Sequence, residues 1–177
     1  MALVLKDTPI GLDRRIDQVQ KWVYNKLNWT NYESYHRVYK NPTNDGDYPE
    51  LFLDGIDYQE VFYDDRFTAT SFFMVDDDKR FDEIYQVDVS LVYQVNLEEL
   101  YPNILHRADE EVHRDVHTAL NSLKSVDITG ITTGIPRVYQ SLGLRQVKLD
   151  DMQPKHVFKI DFTTTYEYNC LTDFNNG

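Results

Sequence analysis

Between residues 85 and 95 every second side chain is apolar: Tyr85, Val87, Val89, Leu91, Tyr93 and Val95 share one parity, while Gln86, Asp88, Ser90, Val92 and Gln94 fill the other. A period of two describes an extended strand with one side on a core and the other against water or a polar partner. Residues 156–168 repeat the pattern, with Phe158, Ile160, Phe162, Thr164, Tyr166 and Tyr168 on one face and Lys159, Asp161, Thr163, Thr165 and Glu167 on the other. Strands so matched in length and pattern are expected to be sheet neighbours, and their apolar faces need a second layer.

Two amphipathic helices can supply it. Leu12, Ile16, Val19, Val23 and Leu27 recur at helical spacing and predict a helix over 9–28, with Thr8 as N-cap and Pro9 at the first helical position. Asp13, Arg14, Asp17, Gln18 and Lys21 fall on its solvent side in this reading, with Trp22 and Tyr24 flanking the stripe. Val112, Val116, Ala119, Leu120 and Leu123 predict a second helix over 108–123, its first turn carrying Asp109, Glu110 and Glu111 at the positive end of the helix dipole.

The remaining pieces are shorter. A strand is expected over 32–39, ended by Pro42 and the Asn-Asp-Gly run after it. Asp54-Gly55 suits a tight turn between strands 50–53 and 56–63, giving a projecting hairpin. A short strand at 71–75 is closed by the charged DDDKR at 76–80, and Pro102 breaks the chain before the second helix. Residues 125–153, punctuated by Gly130, Gly134, Pro136 and Gly143, read as a long irregular loop. The hairpin 50–63 and loop residues 127–149 carry apolar side chains without a place in a two-layer core, so both are expected to pack on other subunits. The sum is a single α+β domain over 1–177, two helices on one face of a mainly antiparallel sheet with a projecting hairpin and a long loop, ending in a flexible tail at 169–177.

Composition narrows the function. Thirty acidic against 18 basic residues give a formal net charge of -12, a field that repels phosphate and argues against sequence-specific nucleic-acid binding. The ordinary meaning is a solvated acidic surface; the sharper one is a surface that sits near DNA without sticking to it. Aromatics make up 14% of the chain, with 13 Tyr and 9 Phe, a surplus suited to protein contacts. Cys170 is the single cysteine, which excludes an internal disulfide and any zinc site built on two thiolates. The apolar stretch before Lys6 is too short for an export signal, and runs such as 72–75 fall far below the roughly 20 residues of a membrane helix.

Catalytic signals are weak. His106, Glu110, His113 and His117 project to within roughly 40° of one line at about 100° per residue, and His at i and i+4 is a metal-ligand spacing. A metal-dependent enzyme using the His106/His113/His117 stripe is therefore an alternative, though no Glu follows the first His of the close pair. The ordinary meaning is a helix flank or subunit contact, with the stripe metal-free. Asp64, Asp65 and Asp76 to Asp78 lack the spacing of a calcium loop, TGITTG at 129–134 lacks the lysine of a phosphate loop, and G-x-S-x-G does not occur. An unrelated soluble protein-binding module is the remaining alternative.

The element order, with TPIGLDRRIDQVQKWVYNKL near the start and DDMQPKHVFKIDFTTTYEY near the end, resembles tail-terminator and head-to-tail joining proteins of tailed bacteriophages. The likeness covers most of the chain and is greatest to neck ring proteins from phages of Bacteroidetes hosts. It implies a non-enzymatic, cofactor-free structural subunit in a homo-oligomeric ring between portal and tail. Neighbouring portal, neck and tail proteins would be its partners, DNA would pass without specific binding, and no membrane is involved. The implied location is the neck or tail region of a virion assembled in the host cytoplasm.

Overall fold

A computed structural model describes residues 2–44, 46–53, 57–60, 64–81, 84–140 and 154–167. In chain order the elements are β1 (Ala2–Leu3), α1 (Gly11–Leu27), β2 (Tyr32–Arg37), β3 (Tyr39–Thr43), β4 (Gly46–Leu53), β5 (Asp57–Glu60), β6 (Ala69–Phe81), β7 (Ile84–Asn96), α2 (Leu97–Leu100), α3 (Asp109–Asn121), β8 (Val126–Thr133), α4 (Ile135–Val138) and β9 (Lys155–Glu167). Six strands form the main sheet in the order β1-β2-β6-β7-β9-β8, and β3-β4-β5 form a separate antiparallel sheet. The pairs β1/β2 and β2/β6 are parallel; β6/β7, β7/β9 and β9/β8 are antiparallel. The fold is α+β, as the patterning predicts.

The two long alternating segments are β7 and β9, paired antiparallel from Ile84↔Glu167 to Asn96↔Lys155 without a register break. Val87, Val89, Leu91, Tyr93 and Val95 join Phe158, Ile160 and Phe162 beneath Ile16, Val19 and Val23 of α1 and Val112, Val116 and Leu120 of α3. α1 and α3 are tied to each other by Trp22, whose indole N–H donates to the Ala119 carbonyl at 3.1 Å and to Ser122 at 3.0 Å. α1 stops at Asn28, which takes the left-handed conformation at φ 48 and donates its backbone N–H to the Tyr24 carbonyl.

Several expectations fail, each for a physical reason. Residues 125–140 do not form a loop awaiting a partner. β8 pairs with β9 from Val126↔Thr164 to Thr133↔Phe158, with a register shift at Ile128/Gly130 that breaks its alternation. After it, α4 lays Val138 and Tyr139 on the sheet's far face against Phe72, Met74, Val92 and Val157, so that face is partly a second core. Residues 141–149 lie outside the described residues, as do the turn 54–56, residues 61–63 of the hairpin, and the tail 169–177.

β6 does not end at Val75. It runs through Asp76–Arg80 because β7 offers partners along its whole length, the ladder absorbing one irregularity between Val75 and Asp78. Pro42 does not end a strand either; it lies in β3 opposite Asp47, and the expected strand 32–39 is divided between β2 and the start of β3. Thr8 is not the N-cap: α1 starts at Gly11 after an uncapped Ile10. The short α2 arises from Asn96, whose side chain accepts from the Glu99 backbone N–H.

If the β7/β9 face carries the fold, Ile160→Ala should lower the unfolding free energy by about 2–5 kcal/mol. Thr165→Ala, on an exposed position of the same strand, should change it by no more than about 0.5 kcal/mol. Urea midpoints measure both, and equal effects would remove Ile160 from the core.

Candidate functional site

The His stripe is where sequence reasoning places its one candidate site, and the structure takes it apart. His106 is exposed in the segment before α3, with Nε2 3.4 Å from Glu111 Oε1. Glu110 and His117 are exposed on the helix surface. His113 alone turns toward the sheet, where its Nε2 lies 3.0 Å from Nε2 of His156, a residue of β9 that is buried. Among the described residues no group of three or more His, Cys, Asp or Glu side chains is arranged to hold a metal ion.

His113 belongs instead to a chain of three bases and cations. An Arg107 guanidinium nitrogen lies 3.0 Å from Nδ1 of His156, and Arg107 Nε is 3.3 Å from Asp109 Oδ2. A guanidinium only donates, so His156 Nδ1 is an acceptor without a proton. The proton of neutral His156 then sits on Nε2 and is donated to His113 Nε2, which must be bare, leaving the His113 proton on Nδ1. Phe158 packs edge-on to His113 at 4.6 Å between ring centres and stacks on His156 at 5.6 Å. Burial holds His113 below the usual imidazole range; Asp109 and Glu110 oppose that effect and Arg107 adds to it.

His156 is no part of the helical stripe, because 43 residues separate it from His113 in the chain. The signal was nonetheless present: His156 has the parity of Phe158, Ile160 and Phe162, so it belongs to the helix-facing side of β9.

A second polar cluster lies under the other end of the sheet. Asp13 and Asp17, read from spacing as solvent-facing, are buried on α1. Asp13 pairs with Lys6 and with Arg37 of β2, the latter at 2.9 Å, while Asp17 pairs with Lys21 at 2.7 Å. Buried His36 approaches the Asp13 carbonyl through Nε2 at 3.1 Å, and buried Gln20 donates to the carbonyls of Val4 and Ser34, both at 2.9 Å. These bonds fasten the segment that follows β1 to α1, and α1 to β2. Burial works to raise the Asp13 carboxyl, but the hydrogen bonds and charges of Lys6 and Arg37 outweigh it and hold the group below its ordinary range.

On the far face, Ser90 donates to Asp161 at 2.5 Å and Lys159 donates to Asp161 at 2.9 Å and to Ser90 at 3.3 Å. Ser90, Lys159 and Asp161 thus form a polar tie across the β7/β9 pair. Of the acidic residues weighed as chelators, Asp64 pairs with Arg66 at 2.5 Å and Asp65 with Lys155 at 2.7 Å. The side chains of Asp76 to Asp78 lie outside the described ones. A shallow groove of about 380 Å³ between α1 and α3 is lined by Lys26, Trp29, Arg114 and Asp115, where Arg114 and Asp115 already pair at 3.1 Å. No helix of the described residues is long and apolar enough to cross a membrane.

No protein-family model matches the chain, and no curated protein matches it in sequence.

The Asp13 cluster makes a pH prediction. Because the folded carboxyl is held below its ordinary value near 3.8, its stabilisation is full above that value and is lost as pH falls through the folded one. Asp13→Asn should lower stability at neutral pH and flatten the acid limb of a stability-against-pH curve. An acid limb identical to wild type would show that Lys6 and Arg37 do not stabilise the charged form.

Proposed function

We propose that the chain is a structural subunit of an oligomeric ring in the head-to-tail connector of a tailed bacteriophage, acting through protein contacts rather than catalysis. The sequence resemblance suggests the assembly, and the observation that carries the physical argument is how the main sheet ends. β8 is an eight-residue strand with no lysine or proline and a single charge, Asp127. No described strand pairs with its outer side, and Ile131 on it is 42% exposed. An edge of this kind invites pairing unless a neighbouring chain covers it, and in a ring each subunit's edge becomes the next one's contact.

Two further features agree with this reading. β3-β4-β5 pair in a sheet separate from the six-stranded one, which would give a neighbouring subunit a second element to contact. The net charge of -12 suits a wall past which DNA slides without binding. The virion neck or tail region, with assembly in the host cytoplasm, follows from the same reading, as do portal, neck and tail proteins as neighbours. The metal-enzyme alternative has less support, since among the described residues His106, His113 and His117 are not gathered into a ligand set.

Native mass spectrometry and electron microscopy of the full chain test the proposal. Closed, symmetric oligomers are expected, and Ile131→Asp should return them to monomers while changing monomer stability by no more than about 0.5 kcal/mol. A wild-type chain that stays monomeric at its highest soluble concentration, and alone beside its expected partners, would overturn the proposal in favour of an independent binding module.

A further inference from the structure

The Arg107–His156–His113 chain has no part in the ring proposal, and it has a property that neither a salt bridge nor an apolar contact would have. Three groups that could all be cationic lie in line, 3.0 Å apart at each step, with His156 buried between the other two. The line closes only because Arg107 is the sole cation. Its guanidinium takes the one lone pair of His156, and His156 takes the one lone pair of His113.

We propose that this line is a proton-sensitive latch, closed when both imidazoles are neutral and opened by one added proton, which fastens the α2–α3 connection and the start of α3 to β9. The reason is stoichiometric. A proton on His113 Nε2 faces the Nε2–H of His156, and two donors then oppose each other. If His156 turns its proton to Nδ1 to relieve this, that proton faces the guanidinium. No placement of a second proton leaves both 3.0 Å contacts intact, so the added charge must separate His113 from His156 or Arg107 from His156.

Among the described groups around the line, the acidic ones that act on His113 lie on α3. From α3, Asp109 and Glu110 draw a proton toward His113, but Asp109 is already engaged by Arg107 at 3.3 Å. From β9, Phe158 covers both rings, and Lys155 is paired with Asp65. From β7, Val95 lies opposite His156 and Tyr93 packs on Phe158, neither offering a charge. The segment that would be released contains Leu105, which is fully exposed, and leads into Ala108, which is buried at the start of α3. Opening would therefore alter a surface loop while the β7/β9 ladder stays paired.

The sign follows from the neutral ground state. A folded imidazole held below its ordinary value of 6.5 contributes stability that is full above about 6.5 and is lost as pH falls from there through the folded value. His36, buried near Asp13, is lowered in the same sense by burial, so a pH profile of global stability alone would mix the two sites. A local readout separates them.

Imidazole nitrogen chemical shifts of the full chain at pH 7.5 should show His156 protonated only on Nε2 and His113 only on Nδ1. Amide hydrogen exchange over 105–113, corrected for intrinsic rates, should then quicken about tenfold or more between pH 7.5 and pH 5, with β7 and β9 unaffected. His113→Gln should abolish most of that pH response. The latch is overturned if either ring is doubly protonated or carries the opposite tautomer at pH 7.5. It is equally overturned if exchange over 105–113 has the same pH dependence in wild type and His113→Gln. Should the variant fail to fold, the tautomers and the wild-type exchange profile decide.

Discussion

The β7/β9 ladder is the constraint on which the rest of the structure depends. Both strands are 13 residues long and run in one unbroken antiparallel register. A slip of one residue would turn Val87, Val89 and Leu91 away from α1 and α3, so burying one face fixes the pairing. Every other part of the main sheet is added to this pair. β6 extends as far as β7 has partners to give, β8 closes the other side on β9, and α4 folds back over the far face.

Across the ladder runs a chain of rings that gives the aromatic surplus a different meaning from the one composition suggests. Tyr24 stacks on Tyr32, Trp29 packs edge-on to Tyr32 and Tyr93, Tyr93 stacks on Phe158, and Phe158 meets His113 and His156. Among the described tyrosines only Tyr39 is exposed. The buried hydroxyls are provided for within the core: Tyr32 lies 2.7 Å from Ser71 Oγ and 3.4 Å from the Tyr93 hydroxyl, and Ser71 Oγ lies 3.1 Å from Ser34 Oγ. Burial of both rings pushes the Tyr32 and Tyr93 hydroxyls up, so they remain neutral partners in this network. The described aromatics thus serve mainly the domain's own packing, and the case for assembly rests on the β8 edge and the resemblance instead.

What could be read from the sequence was what depends on neighbours along the chain. The period-two runs of β7 and β9 and the stripes of α1 and α3 carry their own signal, because one buried face repeats at a fixed interval. What could not be read depends on residues far away. β8 looked like a loop because Gly130 and the register shift at Ile128 interrupt its alternation, while its pairing comes wholly from β9. DDDKR looked like a strand end because its charges disfavour a core, yet ladder hydrogen bonds to β7 carry the strand through. Asp13 looked solvated because Arg37 lies 24 residues away, and the His stripe looked like a ligand set because His156 was not counted among its partners.

β8 and α4 belong to the domain's own sheet and far-face core, with the outer edge of β8 left for a neighbour. Amide hydrogen exchange at residue resolution over 126–139 of the monomeric chain tests this most directly. The account predicts strong protection at the β8 amides bonded to β9 and in α4, with the outward-facing β8 amides exchanging fast until the protein assembles. Fast exchange throughout 126–139 in the monomer would contradict it, because these residues would then need a partner chain to fold.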